Sequence, residues 1–344
     1  AGAFYAGETA EALVQTVRSH GGLITQEDLD QYQAIWRNSV SASCYGHTVH
    51  SMSPPSSGGI ALIQLLIGSE GVDLSSTKPN SADEAHLMAE LMRRVYADRA
   101  TYLGDTDYVD VPVQRLIDPV YIAARNADID PLQATPSQSI KEGRVDRIES
   151  YETTHFSIVD NAGNAAAITT TLNSAFGSKL FVQDAGFFLN NEMDDFSAKP
   201  GVPNQFGLVG SEANSIAPGK RMLSSMSPTL VTRNGKLRYV LGTPGGSTII
   251  TNVYQTLINL LVHHMSLQTA VDDRKIHAQW LPDEISYESG ALDADALRQL
   301  QERGHALREV PRIGRLQAIS LHPDGSLEAA ADVTRVGDST ALAF

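Results

Sequence analysis

Thr153-Thr154-His155-Phe156-Ser157, carried on to Thr171-Leu172-Asn173, is the stretch around which the rest of the chain organises. Residues 155–160 alternate, Asn161-Ala162-Gly163-Asn164 supplies turn residues, and 165–172 returns, which predicts a β-hairpin. Two more hairpins follow. One joins 229–232 to 237–241 through Asn234-Gly235, a favoured two-residue turn. The other joins 317–321 to 327–331 through Pro323-Asp324-Gly325. Between them, 247–265 reads as a helix. Upstream the pattern differs, and residues 1–152 read as mostly helical. Residues 1–21 look like a capped helix, with Gly7-Glu8-Thr9 leading in and Gly21-Gly22 closing it. Residues 61–67 are apolar nearly all round, which predicts a buried helix. Ser81-Ala82-Asp83-Glu84 is a capping-box pattern opening a helix with Leu87, Leu91 and Val95 on one face and a stop near Gly104. Residues 127–150 are polar and aperiodic, and read as a flexible linker running to Thr153. Helices followed by hairpins predict an α+β layered fold. No internal repeat or low-complexity segment is visible.

Composition narrows the function. The 344 residues carry 26 Lys plus Arg against 40 Asp plus Glu, a net charge of −14. An acidic chain without basic clusters argues against nucleic acid and anionic membranes as partners. The single cysteine, Cys44, excludes an internal disulfide and reads as a small packed side chain. Ten histidines are scattered without metal-ligand spacing, so no metal site and no cofactor are expected. No apolar run approaches the roughly 20 residues of a membrane span.

The Thr153-Thr154 stretch looks like the point where a precursor cuts itself, and that Thr153 rather than Thr154 is the nucleophile is what the family resemblance given below implies. The Thr153 hydroxyl would attack the Glu152 carbonyl, an ester would form through an N-to-O shift, and water would release a free Thr153 amine. An N-terminal Thr carries nucleophile and base on one residue. That suits a chain with no convincing Ser/His/Asp constellation. Taken alone, Thr-Thr before an alternating strand is also ordinary strand sequence.

Other segments join the argument: Asn190-Asn191-Glu192-Met193-Asp194-Asp195-Phe196, Leu223-Ser224-Ser225-Met226-Ser227-Pro228-Thr229, Gly242-Thr243-Pro244-Gly245-Gly246-Ser247, and upstream Pro54-Pro55-Ser56-Ser57-Gly58-Gly59 and Tyr96-Ala97-Asp98-Arg99. In this order and spacing the set resembles the γ-glutamyltranspeptidase (glutathione hydrolase) family of N-terminal-nucleophile hydrolases. The resemblance runs over nearly the whole chain. It implies a four-layer αββα sandwich and division into a first subunit ending at residue 152 and a small catalytic subunit, 153–344. It also implies an N-terminally truncated chain, export to the periplasm or outside the cell, and two subunits that stay associated after self-cleavage. The expected activity is attack of Thr153 on the γ-carbonyl of glutathione or a similar γ-glutamyl amide, followed by transfer to water, an amino acid or a peptide.

Roles follow by resemblance. Thr171 would steady the Thr153 amine. Asn173, Glu192 and Asp195 would accept from the donor's α-amine, and Ser224 and Ser225 would donate to its α-carboxylate. Gly245-Gly246 suits an oxyanion hole, since glycine lets backbone N–H groups approach closely; a plain Pro-Gly-Gly turn is the alternative. Glu192 and Asp195 also admit an ordinary loop, or glycosidase chemistry, which nothing else supports. Residues 54–59 read as a helix start in preference to a segment that shapes the pocket. Two departures stand out. The family's carboxylate-binding Arg comes from an early region with no match here. Phe206 occupies a lid position, 199–207, where some members have Tyr. Two further readings stay open: an acylase for cephalosporin side chains or poly-γ-glutamate, and an inactive homologue.

Overall fold

The computed structural model describes residues 2–140, 153–205, 207–334 and 340–342. Glu152, Phe206 and the 141–150 part of the expected linker lie outside the described residues. Helices α1 (Gly2–Tyr5), α2 (Glu8–Ser19) and α3 (Gln26–Gln31) precede the strands β1 (Val40–Cys44) and β2 (His47–Ser51). The expected first helix is thus two, parted at Gly7. Then come α4 (Gly58–Gly71), α5 (Ala82–Tyr102), α6 (Val113–Leu116) and α7 (Pro119–Asn126). The second half carries β3 (Thr154–Val159), β4 (Ala165–Thr170), β5 (Phe181–Val182), β6 (Phe187–Phe188), β7 (Thr229–Arg233) and β8 (Lys236–Gly242). It ends with α8 (Thr248–Leu261), α9 (Leu267–Asp272), β9 (Ile276–His277), β10 (Ile285–Glu288), α10 (Ala294–Glu302), β11 (Leu307–Val310), β12 (Gln317–Leu321) and β13 (Leu327–Ala331).

The centre is a six-stranded antiparallel sheet ordered β1-β2-β7-β8-β12-β13. The three expected hairpins all form, as β3–β4, β7–β8 and β12–β13. The strands β1 and β2 were not expected: Val40-Ser41-Ala42-Ser43-Cys44 is short and small and pairs only with β2 among the described residues, and β2 is placed in the sheet by β7, about 180 residues away. Residues from both sides of the 152/153 junction therefore share one sheet. Helix α4 packs on β1 and β2 and α8 on β8, with α5 lying against α4. The 60–66 stretch of α4 is buried, its Ile and Leu side chains inaccessible, because it packs on the sheet and on α5 and α8 at once. The β3–β4 hairpin packs on β8 and β12. Its other face, with Phe156, Ile158 and Ile168, is exposed and no described element covers it.

Helix α5 begins as expected. Ser81 accepts from the Glu84 N–H, but the Glu84 carboxylate takes the Asn80 N–H rather than that of Ser81. Residues 134–140, expected as linker, are anchored instead. Ala134 N–H donates to the Arg303 carbonyl, Ser137 N–H to Asp283, and the Trp280 indole to the carbonyls of Ser137 and Ile140. Their partners lie far along the chain, so local polarity misled.

One close approach ties the hairpin to the sheet. A Cβ at Gly242 would lie 2.3 Å from the His155 ring, which is held by Thr169 Oγ1 at 2.8 Å and Ser157 Oγ at 3.1 Å. Gly242→Ala is expected to cost about 1–3 kcal/mol by overpacking, read as a lower thermal midpoint; an unchanged midpoint contradicts this packing.

Inside α5, Arg93 donates to His305 Nδ1 at 3.1 Å, His305 Nε2 meets His86 Nδ1 at 2.7 Å, and His86 Nε2 reaches the Asp130 carbonyl at 2.8 Å. Each hydrogen has one place only while both imidazoles are neutral. The Glu90 carboxylate beside them is held by Arg93 and Arg94, each at 2.7 Å. Burial, then the nearby Arg93, His86 and Arg303, push His305 down to about 3. Burial lowers His86 as well. The unfolded chain thus binds protons that the folded chain refuses, so stability falls as pH drops from about 6.5 toward 3. His305→Gln, which cannot charge, is expected to flatten this acid limb by up to about 1.4 kcal/mol per pH unit. Denaturant melts across pH 4–7 test it (about the window of an ordinary His); an unchanged slope contradicts it.

Candidate active site

Thr153 lies just ahead of β3, half-buried, with its hydroxyl 3.4 Å from the Thr171 hydroxyl just beyond β4. The hairpin register pairs Thr154 with Thr170, which brings the two threonines level. Thr171 Oγ1 in turn accepts from the Asn173 N–H at 2.8 Å. Asn173 is buried with φ 71°, a left-handed conformation that Asn tolerates. Its amide donates to the Asn191 carbonyl at 3.1 Å, and Asn191 Oδ1 accepts from the Ser174 N–H at 3.0 Å. This seats the acidic turn 192–195 beside the threonines.

One cavity, of about 330 Å³ of empty volume, gathers Thr153, Thr171, Asn173, Asp195, Ser224, Ser225 and Gly246 with Arg99 and Ser247. Seven of the nine residues expected to carry catalysis and binding therefore converge from four separate segments. Glu192 and Gly245 are not among the lining residues. Gly245, at φ 144°, has no room for a Cβ, which would fall 2.5 Å from Thr248 Oγ1. Gly246 and Ser247 lead directly into α8, whose positive dipole end favours developing negative charge. Among the described residues no protein acceptor takes the Gly246 N–H. A second, more open groove on the far side of Thr153 is lined by Thr154, Thr170, Thr171, Leu172, Ser174 and Ala175.

The acidic turn is electrostatically loaded. Burial pushes Glu192 up to about 6, and one of its carboxylate oxygens is buried without a partner. Asp195 is pushed up to about 8, first by burial and then by the facing Glu192, with Arg99 opposing. Two carboxyls this close hold a proton between them into the neutral range. The segment leading to Phe206 is tied to this turn through Gln205 N–H to Asp194 at 2.9 Å.

Ser224 and Ser225 are locked from below. The Ser224 carbonyl accepts from the Ser57 N–H at 2.8 Å and the Ser57 hydroxyl at 2.7 Å, and Ser224 N–H donates to the Pro55 carbonyl at 2.9 Å. Residues 54–59 thus both start α4 and buttress the serines, the second role being one that the sequence reading discounted. Arg99 was given no role from sequence. It donates from Nε to Ser57 Oγ at 3.0 Å and from Nη2 to Ser225 Oγ at 3.3 Å. In the sequence it is one more charge on a helix that also carries Arg93, Arg94 and Asp98, so nothing local sets it apart. Cys44, the last residue of β1, is buried in the core with its thiol pushed up to about 12 by burial and does not line this cavity. No helix among the described residues is long and apolar enough to cross a membrane.

The sequence profile of the γ-glutamyltranspeptidase family matches residues 1–342. The glutathione hydrolase proenzyme of Escherichia coli (strain K12) is 45% identical over 338 residues, 98% of this chain and 58% of its own length. That of Pseudomonas aeruginosa is 48% identical over 335 residues, 96% of this chain and 59% of its own length. The chain thus spans under two thirds of these relatives. The solved cephalosporin acylase of Bacillus halodurans superposes on 100% of this chain and 60% of its own, with TM-score 0.81 and 22% identity, a likeness of fold alone. The fold class is α+β, the four-layer αββα sandwich of the N-terminal-nucleophile hydrolases, and the chain belongs to the γ-glutamyltranspeptidase family.

Proposed function

We propose that this chain is the core of a self-cleaving γ-glutamyl hydrolase/transferase with Thr153 as nucleophile. The observation that carries the reading is the meeting of the Thr153 and Thr171 hydroxyls, 3.4 Å apart, in a cavity that also holds Asn173, Asp195, Ser224, Ser225 and Gly246. In the precursor, Thr153 Oγ attacks the Glu152 carbonyl carbon, the Glu152–Thr153 C–N bond breaks, and water hydrolyses the resulting ester. In the mature protein, the free Thr153 amine accepts the hydroxyl proton as Oγ attacks the donor's γ-carbonyl. The amide leaves as an amine, and water or an amino acid resolves the γ-glutamyl ester. Gly245-Gly246 supplies backbone donors to the oxyanion, with the α8 N-terminus behind them. Asn173 and the Glu192–Asp195 pair receive the donor's α-ammonium, and Ser224 and Ser225 its α-carboxylate. The open threonine groove beyond Thr153 suits the leaving group or the acceptor.

Glutathione or a similar γ-glutamyl amide is the donor in this reading. The division at 152/153 leaves β1 and β2 in one piece and β7, β8, β12 and β13 in the other. One hydrogen-bonded sheet spans both, so the pieces stay together after the cut. Phe206 on the 199–207 segment acts as a lid, and export to the periplasm or beyond the cell accompanies the activity. An acylase for cephalosporin side chains is the second reading, favoured by 36% identity over 346 residues to the acylase ACY 1 proenzyme of Pseudomonas sp. (strain SE83). Release of p-nitroaniline from γ-glutamyl-p-nitroanilide supports the first reading. Silence on that donor with turnover of glutaryl amides overturns it in favour of the second.

A further inference from the structure

Asp195 and the serines Ser224 and Ser225 line the same cavity from segments that are separate in sequence. One buried side chain joins those segments. Asn214, 4% exposed and not a lining residue, donates from Nδ2 to the Asp195 carbonyl at 2.7 Å. Its Oδ1 accepts from the Leu223 N–H at 3.0 Å. These partners fix which way the amide faces, since a carbonyl only accepts and an N–H only donates. The Asn214 backbone is tied in as well: its carbonyl accepts from the Ser197 N–H at 2.9 Å, and its N–H donates to the Ser211 carbonyl at 3.1 Å. Ser211 anchors this 211–214 turn on α5, through its hydroxyl to the Thr101 carbonyl at 3.0 Å. Just past α5, a Cβ at Gly104 would fall 2.2 Å from the Ala213 carbonyl, so the turn sits hard against the end of that helix. Asn214 thus stands on a fixed base. One end of its amide holds Asp195 and the other holds the residue before Ser224.

We infer that Asn214 is a positioning residue that sets the spacing between the two charge-binding ends of the cavity, so that a donor head group bearing both an ammonium and a carboxylate is preferred to one bearing either alone. This rests on the proposed γ-glutamyl reading and adds to it a residue that acts only through Asp195 and the serine segment. An α-amino acid carries its two charges on one carbon, so both are met only where acid and hydroxyls stand at one separation. A carboxamide on a two-bond stem is a short spacer with a donor at one tip and an acceptor at the other. An ionised Asp of the same shape only accepts, and Leu does neither. Leu223 is buried too, so a bond lost here leaves a desolvated group without a partner and loosens the segment it belonged to. Neither Asn214 side-chain bond goes to Thr153, Thr171 or Gly246, so the effect falls on how the head group is held.

The test compares three p-nitroanilides with the full chain: γ-glutamyl (both charges), 4-aminobutyryl (ammonium only) and glutaryl (carboxylate only). Where a single-charge donor turns over too slowly to read, the inhibition constant of 4-aminobutyrate or glutarate against the γ-glutamyl donor takes its place. Asn214→Leu, which removes both bonds, is expected to lower kcat/KM for the γ-glutamyl donor roughly 10- to 100-fold, mainly through KM. The two single-charge donors are expected to change by no more than about threefold. Asn214→Asp keeps the bond to Leu223 and loses the one to Asp195, and is expected to fall between wild type and Asn214→Leu. Cleavage at the 152/153 bond, which binds no head group, is expected to proceed as in wild type. An equal drop on all three donors, or loss of self-cleavage, would give Asn214 a structural role only and overturn the inference while the γ-glutamyl reading stands. So would an unchanged KM for the γ-glutamyl donor. A wild type inert on the γ-glutamyl donor is a different failure: it sinks the parent reading and this inference with it. Cooperative melts establish that the variants are folded, and Asn214→Asp, the smaller change, carries the comparison alone if Asn214→Leu does not fold.

Discussion

Thr153→Ala is expected to leave a single uncut chain and to abolish turnover of γ-glutamyl amides, by a factor on the order of 10⁴ or more. One residue supplies both hydroxyl and amine in this account, so its loss removes autoprocessing and catalysis together. Thr153→Ser keeps both groups and should cut and turn over, more slowly, because the methyl that fixes χ1 is gone. Thr154→Ala separates the neighbours. Thr154 is exposed at the start of β3 and faces the open groove, whereas Thr153 reaches Thr171. Thr154→Ala is therefore expected to cut before residue 153 as wild type does. Intact mass spectrometry and a p-nitroanilide assay read all three. Fragmentation of the Thr153→Ala chain at the 152/153 bond would remove the nucleophile from this account.

Asp195→Asn is expected to be the next most damaging change. It strips a buried carboxylate from the proposed ammonium site, where losing one partner of a desolvated charge pair costs about 2–5 kcal/mol, roughly 30- to several thousand-fold in kcat/KM. The pH dependence carries a sharper signature. Burial and the facing Glu192 hold Asp195 protonated up to about 8 in the empty protein, with Arg99 pulling the other way. An arriving ammonium favours the ionised carboxylate and expels the proton. Donor binding should therefore tighten as pH rises toward 8 and level off above it. In Asp195→Asn that dependence of KM disappears. The kcat limb from the Thr153 amine, ordinarily near about 7.7–8.0, remains. A KM that falls with pH alike in both proteins would assign the titration elsewhere.

Much of this was legible because it was local. The Asn234-Gly235 turn, the Pro323-Asp324-Gly325 turn and the alternation after Thr153 each specify a hairpin within a dozen residues, and all three formed. The apolar 61–67 stretch could only be core. The converging site residues were reached through motif order rather than through any one motif. What escaped depended on distant partners. Strands β1 and β2 are small and polar, and become strands because β7 offers an edge. Residues 134–140 look like linker until Asp283, Trp280 and Arg303 take up their backbone. Arg99 was unreadable for the same reason: a charge on a core helix acquires meaning only when Ser57 and Ser225 are brought to it. Residues 54–59 show how a correct local reading can be incomplete, since they begin α4 and also support the serines.

The central claim is that Thr153 Oγ becomes acylated by a γ-glutamyl donor. The most direct measurement is rapid acid quench of the self-cleaved protein with a slow γ-glutamyl donor, followed by intact and fragment mass spectrometry. The account predicts one γ-glutamyl group on the fragment that begins at Thr153, mapped to that residue and removed by added glycylglycine. An adduct on any other side chain, or donor turnover with an unmodified Thr153 at every quench time, would contradict it.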